Sequence, residues 1–424
     1  MRPLHGPGGL KHPAIRALEG PLGGFHRLEE WKRTLFALWT AQFFTMLGIS
    51  MYLPFLPLYL RSLGVTDPAQ LHRVSGLLFA APFFAATVAT PVWGLLGDRH
   101  GRKLMVVRAS LGLSVATLIM GFARTVPQLF VLRLAQGAVS GFIAAALALM
   151  ASRAPRERMG YALGTLQTAI PTGTILGPLI GGTLADLMGY RHVFFVTSAM
   201  TFIAGVLVIL LVPRDFPPQS EAKFSSVFDN YRTVFGSRQF RILFLVLFGS
   251  QFALMSIQPV MALYVESLGA SGRLLATTTG VIFAVTGIAS ALGAPRWGRR
   301  GDRKGYRSTL ARALAGAALF ALPQGLVART WQLFLLRIGY GSFIGGIVPP
   351  VQAMIGISAP PERRAGIMGV TSTALMLGNL AGPLIGGTVA GSFGPRSVFF
   401  LATGVFVVLL AGLYPRLEEP PRPT

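Results

Sequence analysis

The chain has 424 residues, of which 52% are apolar and only 12% charged, with a formal charge of +23 and no cysteine. A charged share about half the usual one argues against a string of soluble domains, and the missing cysteines exclude disulfide frameworks, thiolate metal sites and cysteine nucleophiles. The positive charge does not point to nucleic acid, because the cations lie in short loops between long apolar runs, where membrane topology requires them.

Residues 1–33 form a basic polar tail without an apolar core ahead of a cleavage site, so no signal peptide is expected. Six apolar runs follow, near 34–60, 75–96, 104–123, 128–151, 160–186 and 193–213, each near or beyond the length needed to cross a bilayer. Residues 214–241 are polar, hold Pro217, Pro218 and five cations, and read as a linker. Six more runs lie near 242–266, 277–297, 308–327, 333–357, 366–390 and 397–414, before a tail at 415–424. The expected fold is an all-α membrane protein with twelve transmembrane helices in two six-helix bundles, 34–213 and 242–414. Twenty-seven lysines and arginines fall in the tails, the linker and the even-numbered loops, against seven in the opposite loops. That asymmetry puts both termini in the cytoplasm.

The two bundles are copies of one another. Gly177-Pro-Leu-Ile-Gly-Gly-Thr183 recurs as Gly382-Pro-Leu-Ile-Gly-Gly-Thr388, and Gln128-Leu-Phe-x-Leu-Arg133 recurs as Gln332-Leu-Phe-x-Leu-Arg337. Leu58-Tyr59-x-x-Ser62-Leu-Gly64 recurs as Leu263-Tyr264-x-x-Ser267-Leu-Gly269, and the offset stays at 204 or 205 throughout. An even number of spans was duplicated, so the copies share one topology about an axis along the membrane normal. Such a pair encloses a central cavity that opens to either side in turn.

Several residues stand out against this frame. The polar stretch Gly94-Leu-Leu-Gly97-Asp98-Arg99-His-Gly101-Arg102-Lys103 between spans 2 and 3 recurs around Gly301, Asp302, Arg303 and Gly305. Gly97 and Gly101 suit a tight turn, and Asp98 suits bonds from cations or a helix N-terminus. Gly173, Gly177, Gly181 and Gly182, with their copies Gly378, Gly382, Gly386 and Gly387, let neighbouring helices approach closely, and Pro178 and Pro383 suit kinks. The expectation is a two-fold seal against leak. Arg108, Arg133, Arg312 and Arg337 lie inside spans, as two repeat pairs. Arg108 and Arg312 are close enough to the cytoplasmic boundary to reach headgroups, whereas Arg133 and Arg337 sit deeper. None of the fifteen acids lies at the middle of a span; Asp98, Asp186 and Glu266 are the nearest candidates for carrying a proton. Arg61 and Glu266 occupy equivalent outer ends of spans 1 and 7. They either pair when the outer side closes or remain two separately solvated charges.

Gly94-x-Leu-x-Asp98-Arg99-x-Gly101-Arg102-Lys103 resembles the loop motif of the major facilitator superfamily, and Leu132-Arg133-x-x-Gln136-Gly137 resembles its fourth-helix motif. Gly173-x-x-x-Gly177-Pro178-x-x-Gly181-Gly182 is similar to its antiporter motif, and Pro54-x-x-Pro57, after Gly48, to the first helix of its twelve-helix drug exporters. The resemblance spans essentially every helix and points to the drug:proton antiporter branch of bacterial inner membranes. It implies that Asp98 and Arg99 form a conformational latch, with Asp302 and Arg303 as a second copy, in which Arg300 and Tyr306 depart from the pattern. It assigns Arg133, and by repeat Arg337, to coupling, with Gln136 in the same motif. It also implies a cavity lined by spans 1, 4, 7 and 10, whose polar and soft residues are Gln42, Met46, Tyr52, Gln136, Gln251, Met255, Gln258, Tyr340 and Gln352. Methionines, aromatics and scattered amides suit varied amphipathic cargo without one fixed charge pattern.

There is no Gly-x-x-x-x-Gly-Lys-Ser/Thr loop for an ATP-driven pump. There is neither a cysteine nor an embedded histidine for a membrane enzyme, and the linker is too short for a sensor's output domain. The expected protein is not an enzyme and needs no cofactor. It is a monomeric secondary transporter exporting small amphipathic compounds by alternating access, with the proton as counter-ion. The alternative is a facilitator, or a lipid, sugar or metabolite transporter, on the same fold without proton coupling.

Overall fold

The computed structural model describes residues 29–213, 225–270, 272–413 and 416–420, without the side chains of Leu95, Asp98, residues 225–228, Arg273, Ala365 and Leu413. Every regular element among these residues is helical. The first bundle contains α1 (Glu30–Tyr52), α2 (Leu56–Ser62), α3 (Pro68–His100), α4 (Arg102–Gly121), α5 (Val126–Ala138), α6 (Phe142–Arg153), α7 (Met159–Gln167), α8 (Ala169–Met188) and α9 (Tyr190–Leu211). A linker helix, α10 (Ser225–Gly236), precedes the second bundle: α11 (Arg238–Ile257), α12 (Met261–Ser267), α13 (Leu275–Lys304), α14 (Tyr306–Ala321), α15 (Thr330–Ile344), α16 (Val348–Ser358), α17 (Arg364–Phe393) and α18 (Ser397–Val408).

Among the described residues, nine segments are long and apolar enough to cross a membrane. The other three expected spans fall short for local reasons. Glycine, threonine and proline dilute α8; α14 stops after 16 residues at a 3-10 turn; α18 has 12 residues before a π-helical turn. Expected spans 1, 4, 5, 7 and 10 are each two helices rather than one, span 5 dividing at Thr168 between α7 and α8. Pro54 and Pro57 lack the N–H that a continuous ladder needs, and the chain passes through a 3-10 turn between α1 and α2. The break between α11 and α12 contains Pro259. Gly141 at φ +111° separates α5 from α6, and Pro349 and Pro350 open α16.

Two repeated tethers hold broken spans 1, 4, 7 and 10. Trp93 Nε1 donates to the Ala138 carbonyl (2.6 Å) and Trp297 Nε1 to the Ser342 carbonyl (2.7 Å). Tyr59 Oη donates to the Met120 and Ala123 carbonyls, and its copy Tyr264 to that of Gln324. A carbonyl at a helix end has no internal donor, so an indole or phenol satisfies it where water cannot reach.

The two bundles meet along α3 against α17 and α8 against α13, with α2 touching α12. The start of α1, the α3–α4 turn, α10 and residues 416–420 share one end of the molecule, the tail end. The α2, α8 and α12 C-termini mark the opposite, far end. Glycine makes the bundle contacts close. A Cβ added at Gly76 would lie 2.3 Å from the Pro383 carbonyl oxygen, and one at its copy Gly280 would lie 2.1 Å from that of Pro178. The paired Gly182–Ala276 and Gly387–His72 contacts continue each seam toward the far end.

Candidate functional site

At the far end the bundles are joined by charge. Arg61, at the end of α2, donates through Nη1 and Nη2 to both carboxylate oxygens of Glu266 on α12, at 2.7 and 2.8 Å. Of the two arrangements open to this pair, the structure holds the bonded one. Its bidentate geometry is the strong form of an arginine–carboxylate contact, although side-chain exposures of 45% and 31% limit its stabilisation to about 1 kcal/mol or less. Beside it, Asp186 on α8 accepts from the backbone N–H groups of Ala276 and Thr277 (3.1 and 2.7 Å) and from the Thr277 hydroxyl (2.6 Å). A carboxylate of one bundle thus caps the first turn of α13 in the other, where free N–H groups and the helix dipole favour an anion. The corresponding helix of the first bundle, α3, is capped by its own Asp67. The sequence offers Asp186 only as a candidate proton carrier, because nothing local reveals this partner.

Inside the first bundle, in the second turn of α5, lies a buried polar centre. Arg133, 2% exposed, donates through Nε to the Leu78 carbonyl (2.9 Å) and through Nη1 to Tyr52 Oη (3.1 Å) and Gln136 Oε1 (2.6 Å). Gln136 Nε2 donates to the same Tyr52 Oη at 2.6 Å. The Leu78 acceptor exists because Pro82, four residues on, has no N–H to return to it. Arg133 therefore binds α1, α3 and α5 together.

The copy has diverged. Thr286 stands where the first bundle has Pro82, and it supplies a hydroxyl bond to the Ile282 carbonyl. Tyr340 replaces Gln136, and Ile257 replaces Tyr52. Arg337 keeps a contact to Met261 Sδ (3.5 Å), while its buried Nε and the buried Tyr340 Oη have no hydrogen-bond partner among the described residues. Arg108, expected to reach the headgroups, instead lies 3.4 Å over the Trp93 ring and donates to the Ser140 carbonyl. Arg312 is exposed.

At the tail end, residues 94–100 continue α3 as helix, and the chain turns only at Gly101 (φ +95°). Gly97, expected to share the turn, is a buried helical residue against Met105. Gly301 and Gly305 repeat the arrangement, with Gly301 packed on Tyr306. Arg102 donates to the Ala148 carbonyl inside α6, and Lys103 to those of Ile209 and Val212, so these cations tie the start of α4 to α6 and to the end of α9. Gly94 and Arg99 are exposed, and the Asp98 side chain, central to the expected latch, lies outside the described residues. In the second copy Arg303 is exposed and Asp302 accepts from Tyr306 Oη at 2.6 Å, a bond that, with Asp302's charge, pushes the Tyr306 phenol up to about 12. Glu419, from the C-terminal tail, accepts from the N–H groups of Tyr306 and Arg307 and caps α14.

The glycines expected to seal the bundles pack first within them. Added Cβ atoms at Gly173, Gly177 and Gly181 would meet the α1 backbone at 2.7, 2.8 and 2.0 Å; those at Gly378, Gly382 and Gly386 would meet α11 at 2.9, 2.7 and 2.2 Å. Among the expected cavity residues, Gln42 is fully buried and bonded to the Leu166 carbonyl, and Met46 packs on Gly173. Met255 packs on Gly382, and Gln251 donates to Asn379 Oδ1 at 2.7 Å, a partner on α17 that the repeat pattern did not single out. Gln258 is half-buried in the α11–α12 break, and Gln352 is exposed on α16.

A profile of the Major Facilitator Superfamily matches residues 38–323 and 273–424. The multidrug resistance protein MdtG of Proteus mirabilis is 37% identical over 379 residues, covering 89% of this chain and 94% of that protein. Its counterpart from Salmonella arizonae is 38% identical over 384 residues, covering 91% and 95%. Among solved structures, a bacterial homolog of the human lysosomal transporter Spinster, inward-facing and occupied, aligns with a TM-score of 0.77 at 16% identity over 91% of this chain and 96% of that one. The nucleoside transporter NupG aligns with a TM-score of 0.74 at 16% identity, over 90% and 98%. Matched over nearly its whole length, the chain belongs to the major facilitator superfamily and is a multi-pass membrane transporter.

Proposed function

We propose that the chain exports small amphipathic compounds across a bacterial inner membrane by alternating access, with protons moving in the opposite direction and both tails in the cytoplasm. The observation that carries this reading is the far-end closure. Asp186 with the Ala276–Thr277 turn, and Arg61 with Glu266, bridge two bundles whose glycine contacts also lie toward that end. These are contacts a rocking motion makes and breaks together, and the relatives named for multidrug resistance support drugs as cargo. In this reading Asp186 and Glu266 are gate residues rather than proton carriers, because a proton bound and lost on one side does no transport work. The Tyr52–Arg133–Gln136 centre links the three helices that must move with cargo and is the coupling element. Protonation shifts the equilibrium only by its differential affinity for the two states.

An uncoupled facilitator is the second reading, favoured by the absence of any acid at the middle of a span. Uptake of fluorescent amphipaths into inverted vesicles separates the two. Accumulation that needs an inward-acid gradient and vanishes on its collapse supports antiport; equilibration indifferent to the gradient establishes the facilitator.

A further inference from the structure

The lipid-facing side of α13 carries a groove of about 550 Å3 against α15, lined by Val285, Ile288, Leu292, Ile338 and Phe343 and ending at Trp297. Its tail end runs into a second depression of about 300 Å3 formed by Arg296, Arg299, Arg300, Arg303 and Lys304, and Arg296 and Arg300 line both. Helical rise puts Val285 and Arg296 roughly 16 Å apart, about half of a 30 Å hydrocarbon core. The apolar groove is therefore one leaflet deep and the cations sit at headgroup level.

The duplication shows that these cations are an addition to the fold. One repeat earlier, at an offset of 204, the chain has Val92, Leu95 and Leu96 where the second bundle has Arg296, Arg299 and Arg300, and Val92 is exposed among other apolar residues. Membrane topology is already served by cations that the two copies share around the helix end, Arg99 with Arg303 and Lys103 with Arg307. Three further cations on the last turns of the helix, beside apolar side chains, are costly in hydrocarbon unless anions meet them. Among the described residues none of the five pairs with a carboxylate, and the buried Nε of Arg300 has no hydrogen-bond partner.

We infer that this groove binds one anionic phospholipid of the cytoplasmic leaflet, its acyl chain along Val285–Leu292 and its phosphate against Arg296 and Arg300. The depth of the groove and its complementary charge select a phosphodiester with a hydrocarbon tail. The inference rests on the cytoplasmic placement of the tail end, but not on which cargo is carried or on proton coupling.

Trp297 lines the groove and reports its occupant. The protein is reconstituted in phosphatidylcholine vesicles with increasing fractions of brominated phosphatidylglycerol or brominated phosphatidylcholine, and the quenching that disappears in Trp297→Phe is scored. Brominated phosphatidylglycerol is expected to quench at far lower mole fraction. The double variant Arg296→Gln/Arg300→Gln should lower that preference about thirty-fold, equivalent to about 1 kcal/mol per cation. Ile288→Phe, which fills the groove and keeps the cations, should weaken quenching by both lipids. Equal quenching by the two lipids overturns the inference, as does a preference that survives the double variant. Displacement of the brominated lipid by an amphipathic drug reassigns the groove to cargo. Protease accessibility of the Gly301–Tyr306 turn in sealed right-side-out vesicles tests the placement separately: cleavage there would refute the cytoplasmic assignment, whatever the quenching shows.

Discussion

Adding one methyl group at Gly280 tests whether the far-end seam holds the closed state. The alanine Cβ would sit 2.1 Å from the Pro178 carbonyl oxygen, 2.8 Å from its carbon and 3.3 Å from Leu179 Cα. All three are backbone atoms, so no side chain can rotate away, and α8 and α13 must part by about 1 Å to restore ordinary contact. Overpacking of this kind costs about 1–3 kcal/mol. Because the clash exists only where the bundles touch, the cost falls on the far-end-closed state and shifts its ratio to the open state by about 5- to 150-fold. The chain has no cysteine, so spin labels on Ser62→Cys and Ser267→Cys report the separation of the α2 and α12 ends without background. Gly280→Ala should enlarge the long-distance population, and Gly404→Ala, with nothing within 4 Å of the added carbon, should not. A folded Gly280→Ala protein with an unchanged distance distribution would refute the assignment of the seam to the closed state.

Tyr52→Phe removes the oxygen shared by Arg133 and Gln136 and should destabilise the protein by about 2–3 kcal/mol, whereas Tyr340→Phe deletes a buried hydroxyl without a partner among the described residues and should be neutral or stabilising; denaturation midpoints in detergent that fall equally would contradict the asymmetry. Arg61→Glu and Glu266→Arg should each loosen the far end, measured by the same spin-label pair, and the charge-swapped double variant should recover most of the loss; failure to recover would mean that the pair does not act as a gate. In Asp302→Asn the Tyr306 phenol should titrate closer to 10 than to 12, followed by phenolate absorbance against a Tyr306→Phe control. The sign follows from the bond: Asp302 favours the protonated phenol, so its contribution is present below pH 10 and is lost as pH rises through about 12.

The twelve-span plan and the duplication were legible because each leaves a periodic or repeated mark in the chain; the glycines of spans 5 and 11 were legible as close-approach positions, but Gly76 and Gly280 of the bundle seam were not singled out. The helix breaks in spans 1, 4, 7 and 10 were half-visible: their prolines and Gly141 are plain, but apolar composition runs across them without interruption. Residues 94–100 looked like a loop because they are charged, yet helix propensity and the backbone ladder carry α3 through them to Gly101. The capping role of Asp186, and Asn379 and Glu419 altogether, were missed for one reason: their partners lie 91, 128 and 113 residues away, at distances that no local pattern encodes. Pro82 did carry a readable signal. A proline inside a long helix frees the carbonyl four residues earlier, and a buried arginine elsewhere in the bundle is a natural donor to it.

Because that freed carbonyl is fixed in direction, it can be answered only by a donor that is itself rigid. The guanidinium offers Nε to α3 and Nη1 to α1 from one plane; an ammonium at position 133 would offer one rotating point and leave part of the set unsatisfied. Arg133 is thus a rivet through three plates of the first bundle, and the second bundle keeps the rivet, Arg337, without the freed carbonyl and the phenol that would receive it. When the surrounding lipid squeezes or stretches the protein, the riveted half should turn as a single solid, and the deformation should be taken up around Arg337.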